Sequence, residues 1–134
     1  HAKDFVEAQW LMLQQDKAQD FCIATGEQYS VRDFINLSAK NLEISLSWEG
    51  KGLNEKGIDQ ETGNEIIKID KRYFRPSEVD SLLGDATKAQ KELGWSPKIN
   101  FEELVLEMSL KDLEEAEKEN LIKESGFKVY KPQE

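Results

Sequence analysis

A chain of 134 residues with a formal net charge of −9 repels duplex DNA, RNA and anionic membranes, so none of these is expected as a partner. Its 38% hydrophobic and 34% charged residues fit one polar domain, or a piece of a larger one, and periodic apolar segments argue against wholesale disorder. A single cysteine, Cys22, excludes an internal disulfide and suits a reducing cytoplasm, and no apolar run approaches the roughly 20 residues that span a bilayer.

The opening His1-Ala2-Lys3-Asp4, without Met or a signal-peptide pattern, is expected to come from a longer polypeptide. Residues 2–15 read as a helix with Ala2, Phe5, Val6, Trp10 and Leu13 on its inward face. Phe21-Cys22-Ile23-Ala24 is a short apolar run that reads as a buried strand ending at Thr25-Gly26. Ser30 opens a second helix, with Asp33 placed for a capping box and Val31, Phe34, Ile35 and Leu42 turned inward. Residues 44–49 alternate as a strand, residues 50–57 read as a loop, and Glu61-Thr62-Gly63-Asn64 as a hairpin turn feeding a strand over 65–70.

Pro76 predicts a short helix over 77–83. Asp85 or Thr87 caps the next helix, which Gly94 stops. Asn100, with Glu103 at the capping-box position, starts the last helix, whose stripe is Phe101, Leu104, Val105, Met108 and Leu113. That helix is expected to fray after Leu121, leaving residues 125–134 as a tail. The acidic run over 112–119 reads as a solvated face.

Several blocks taken together carry a family resemblance. They are His1-Ala2-Lys3-Asp4-Phe5 with Trp10-Leu11-Met12-Leu13-Gln14, Phe21-Cys22-Ile23-Ala24-Thr25-Gly26, and Tyr29-Ser30-Val31-Arg32-Asp33-Phe34. Then come Trp48-Glu49-Gly50, Tyr73-Phe74-Arg75-Pro76-Ser77-Glu78-Val79, Gly84-Asp85 and Gly94-Trp95-Ser96-Pro97. In order and spacing this set resembles the C-terminal part of GDP-mannose 4,6-dehydratases, nucleotide-sugar enzymes of the extended short-chain dehydrogenase family. The resemblance implies an α/β parent of Rossmann type, with this region α+β: helices with a few short strands. Residues 1–124 would be the nucleotide-sugar-binding region, including the last Rossmann helix and strand at about 1–26, and 125–134 the tail. It implies an NADP-dependent lyase that turns GDP-mannose into GDP-4-keto-6-deoxymannose, a precursor of GDP-fucose.

The chemistry of that reaction needs a glycine-rich turn for the cofactor pyrophosphate and a tyrosine with a lysine four residues on. Gly50-Lys51-Gly52 lacks a third glycine, and Tyr29, Tyr73 and Tyr130 are followed at that distance by Asp33, Ser77 and Glu134. Hence no catalytic residue is assigned, no NADP is expected on this chain, and the chain alone is expected to be inactive. The lone His1 and the absence of ligand-spaced clusters argue against a metal, and a terminal His1 is expected to be disordered.

Arg32 and Arg75 would hold the diphosphate of GDP-mannose, as the resemblance implies, because a planar guanidinium fork matches two phosphate oxygens. The plain alternative for Arg32 is a surface arginine or one paired with Asp33 or Asp70, and for Arg75 a tie to Asp70 or Glu78. Glu78 would accept bonds from the ribose diol, or stabilise a helix start. Tyr29 would line the pocket near the nucleotide, or pack. Cys22 is expected to be buried and inert, and Trp10, Trp48 and Trp95 to be core. Two other readings stay open: a non-enzymatic interaction module or homo-oligomer driven by exposed apolar surface, and the same part of a UDP- or dTDP-sugar enzyme.

Overall fold

A computed structural model describes residues 1–75 and 82–128. Its elements in chain order are α1 (Ala2–Leu13), α2 (Val31–Asn41), β1 (Leu46–Glu49), a 3-10 turn (Gly52–Asn54), β2 (Lys56–Asp59), β3 (Glu65–Lys68), α3 (Thr87–Leu93) and α4 (Phe101–Glu124). This is a mixed α/β arrangement with one antiparallel sheet of order β1-β2-β3. The expected helix over 77–83 lies largely outside the described residues.

Two helix pairs organise the molecule. In the first, α1 packs on α3 around Ala8, Ala86, Ala89, Leu93 and Trp95. Alanines let the two backbones approach closely, and the Trp95 indole fills the space beside them. Asp4 is buried here, and its Oδ2 accepts the amides of Lys98 and Ile99 at 3.1 Å each. These bonds satisfy the buried carboxylate and tie α1 to the segment leading into α4.

This arrangement corrects the expected face of α1. Asp4 and Ala8, one turn apart, face inward with half-buried Leu11 and Met12, whereas Val6, Trp10 and Leu13 are 61%, 59% and 83% exposed. The larger apolar side chains therefore form an outward stripe. Trp10 is not core; Trp95, 1% exposed, is.

The run over 20–26 forms no strand and pairs with none among the described residues. Phe21, Ile23 and Ala24 pack instead against the α1–α3 core. Cys22 is exposed, correcting its expected burial. The apolar residues of the run are thus partly buried by side-chain packing alone, without a partner strand among the described residues.

The second pair is α2 on α4. Both begin with complete capping boxes, Ser30 with Asp33 and Asn100 with Glu103, as the sequence predicts. Ala39, Val105 and Ser109 are buried, while Val31 is 76% exposed and so is not an inward residue. Met108 is also exposed, because it lies off the face that buries Val105 and Ser109, and Leu113 is exposed because the turns of α4 after Ser109 meet solvent. For α3 the N-cap is Ala86 without a side-chain bond; Asp85 accepts the Thr87 amide and hydroxyl from just before it.

The last helix does not fray at Leu121 but continues to Glu124. Ion pairs one turn apart support it, with Glu114 accepting from both Lys111 (2.9 Å) and Lys118 (2.7 Å) and Glu119 pairing with Lys123. Those two lysines hold the Glu114 carboxyl at about 2, below its ordinary 4.5. A depressed carboxylate pKa contributes helix stability that is present above pH 4.5 and lost as pH falls through about 2. Carboxyl-carbon NMR of Glu114 should show a midpoint close to 2; one at the ordinary 4.5 would mean the lysines are not engaged.

The sheet adds a strand the sequence did not announce. Residues 50–57 were expected as loop, yet they hold the 3-10 turn and the start of β2, which pairs Trp48↔Gly57 and Glu49↔Lys56 with β1. The β2–β3 hairpin closes where expected, with the Gly63 amide on the Asp59 carbonyl at 2.8 Å. His1 caps α1: its Nδ1 accepts the Lys3 amide at 3.0 Å, and Nε2 lies 3.5 Å from Glu107.

Candidate functional site

A hollow of about 530 Å³ lies where the start of α2, the sheet and the segment after β3 converge. That volume is in the range of small-molecule sites. Val31, Ile35, Ile67, Ile69 and Phe74 supply apolar wall. Its charged lining is Arg32, Lys68 and Arg75 against Glu55 and Asp70, a net of +1 within an acidic chain.

Arg32 and Arg75 thus border the same hollow, reached from two elements 43 positions apart in sequence. Arg32 is on the first turn of α2, where the capping box fixes the helix start. Its guanidinium forms an ion pair with Glu55 and lies 4.7 Å from the centre of the Trp48 ring. The partner is neither Asp33 nor Asp70. Trp48 is itself tied to α2, its Nε1 donating to Asn36 Oδ1 at 2.9 Å. Arg75 follows a turn organised by Asp70, whose carboxylate accepts the Arg72 amide at 2.8 Å. The Arg72 guanidinium covers the Tyr73 ring at 4.4 Å.

The α2 N-terminus contributes less to an anion than its dipole suggests. Asp33 already places a carboxylate there, accepting from the Ser30 amide and hydroxyl at 2.9 and 2.6 Å. These bonds hold the Asp33 carboxyl below the usual carboxylate range. The positive charge bordering the hollow therefore comes from the side chains of Arg32, Lys68 and Arg75 rather than from the helix end.

Tyr29 stands apart from this hollow. Its ring stacks on Phe101 at 3.8 Å with planes 6° apart, and its hydroxyl donates to Glu27 at 2.8 Å. That bond raises the phenol pKa. It lines a separate recess of about 360 Å³ with His1, Thr25 and Lys98. Glu78 lies outside the described residues. Glu55, Trp48 and Asn36 were not singled out as site residues by the sequence. Glu55 is 23 positions from Arg32, and no local spacing signals such a pair.

Among the described residues no cluster of His, Cys, Asp or Glu could hold a metal, and no helix is long and apolar enough to cross a membrane. The Gly50-Lys51-Gly52 loop runs from β1 through a 3-10 turn into β2. It therefore differs from the strand–turn–α-helix arrangement of a dinucleotide-binding glycine loop.

Two guanidiniums bordering an apolar hollow on a mixed α/β scaffold define a candidate anion-binding unit. The family model for GDP-mannose 4,6 dehydratase matches residues 1–108, and the chain belongs to that family. It is 50% identical over 139 aligned positions to a GDP-mannose 4,6-dehydratase of Vibrio cholerae, covering 96% of this chain and 37% of the relative. Similar proteins named GDP-mannose 4,6 dehydratase from Dictyostelium discoideum and Homo sapiens are 53% and 52% identical over 114 positions, 85% of this chain and 32% and 31% of theirs. The chain therefore spans about a third of the length of the curated relatives it matches.

Proposed function

We propose that this chain is the nucleotide-sugar-binding part of a GDP-mannose 4,6-dehydratase. GDP-mannose is its ligand, and NADP binding and the chemical steps belong to a Rossmann-type remainder. The convergence of Arg32 and Arg75 on one apolar-walled hollow carries this reading. In it, the two guanidiniums hold the diphosphate, Glu78 holds the ribose, and the chain alone does no chemistry. Family membership supports the ligand class; the +1 lining within a chain of −9 supports an anion there rather than elsewhere.

Calorimetry of the chain with GDP, and with UDP as comparison, tests this. Each charge-assisted contact is worth about 1.5–3 kcal/mol, so Arg32→Ala and Arg75→Ala should each weaken GDP about tenfold or more. GDP binding that survives the double substitution unchanged would sink the assignment. Equal binding of UDP would show that this part of the chain reads the diphosphate and ribose but not the base, whereas tighter binding of UDP than of GDP would move it to another nucleotide-sugar class.

The outward stripe of α1 supports a second role beside the first. Val6, Trp10 and Leu13 are exposed on one side of a helix whose other side is already packed. Contact with the remainder of a longer polypeptide, or with another copy, would bury them. Sedimentation of the chain against a Trp10→Ser variant separates self-association from a stable monomer.

A further inference from the structure

The diphosphate scheme leaves Glu55 of the hollow without a task. Glu55 faces Arg32 and forms an ion pair with it; its side chain is 21% exposed and that of Arg32 46%. The same guanidinium lies over the Trp48 ring, which Asn36 anchors. A carboxylate and a diphosphate oxygen compete for the same donors of one fork.

Building on the reading that this hollow takes a nucleoside diphosphate, we infer that Glu55 sets its affinity by occupying Arg32 until the ligand displaces it. The diphosphate replaces one anion by another, so the net gain from Arg32 is smaller than the contact alone would provide. Trp48 makes the exchange local. The guanidinium keeps its place over the indole while its anionic partner changes, so no refolding of α2 is needed. Only the Glu55 side chain has to turn toward solvent, and it starts partly exposed. The exchange also limits how tightly the ligand is held, which favours release.

The test is a titration of GDP, and separately of inorganic pyrophosphate, into the chain and its Glu55→Gln variant. Glutamine keeps the volume and removes the charge. Both probes should bind the variant about fivefold more tightly, the scale of a half-exposed ion pair. In an Arg32→Ala background the same substitution should change affinity less than about twofold, because the competition has been removed. Glu55→Asp, too short to keep the pair, should shift affinity in the same direction and guards against a folding artefact of the glutamine. Equal or weaker GDP binding by Glu55→Gln overturns this inference while the functional reading stands, since the unaltered chain still binds. Failure of every form to bind GDP overturns both.

Discussion

Replacing Trp95 by alanine is expected to lower the stability of the chain by about 4 kcal/mol, the cost of emptying a buried aromatic site. Trp95 and Val105 are the largest fully buried side chains, and the cluster around Trp95 is otherwise mostly alanine. The indole also donates its Nε1–H to the Asp4 carbonyl at 2.8 Å and meets Phe5 edge-on at 6.4 Å. Trp95→Phe keeps most of the apolar volume and loses that bond, so it should cost about 1–2 kcal/mol. Urea unfolding followed by circular dichroism separates the two. Against a typical domain stability of about 5–15 kcal/mol, the alanine variant should remain folded but markedly less stable, and approach its unfolding threshold only at the low end of that range. A loss below about 1 kcal/mol would show that α1 and α3 are held by something other than this side chain.

The loss would reach the hollow. Trp95 and Asp4 fix the segment that ends at the Asn100 cap, Asn100 starts α4, and α4 packs on α2, which carries Arg32. Weakening the first helix pair therefore loosens the second. GDP affinity should fall with stability in Trp95→Ala, although Trp95 touches no part of the hollow.

Local signals in the sequence located most of the elements. Capping boxes at Ser30 and Asn100, the stop at Gly94 and the hairpin at Thr62-Gly63 all depend on residues within one turn of each other, so adjacency suffices to read them. The inward face of α1 was not legible, because apolar residues occupy both sides of it and tertiary contacts chose the smaller one. Ala8 allows close approach to α3, and the buried acid Asp4 finds two amides that no periodicity reveals. The start of β2 was missed for a similar reason: Lys56-Gly57 has no strand propensity, and pairing with Trp48 and Glu49 on one side and β3 on the other creates the strand.

The candidate site divides in the same way. The resemblance singled out Arg32 and Arg75, and both border one hollow. The Glu55 and Trp48 contacts to Arg32 form only after the sheet has turned back across α2, so neither shows as a spacing. Tyr29 has its own local partners, Glu27 and Phe101, and they hold it at another recess.

Gly50→Ala should be the most damaging single-methyl change near the hollow, at about 3 kcal/mol, because a steric overlap is added to an unfavourable backbone angle. Gly50 sits at φ +79°, and a Cβ there would lie 2.2 Å from the Asn54 carbonyl oxygen and 3.3 Å from Glu55 Cα. Those are backbone atoms of a tight turn closed by Asn54 N–H to Lys51 O and Glu55 N–H to Gly52 O. They cannot yield without opening it. Gly52 is the internal control: at φ +56° it has open space where a Cβ would go, so Gly52→Ala should cost only the angle, about 1 kcal/mol. The difference between the two variants in urea unfolding isolates the overlap. The same turn delivers Glu55 to Arg32, so opening it should also break that ion pair. Gly50→Ala should therefore accelerate solvent exchange of the Arg32 guanidinium protons in NMR, while Gly52→Ala leaves it nearly unchanged. Equal stability losses, or equal exchange, would mean that the turn does not position Glu55.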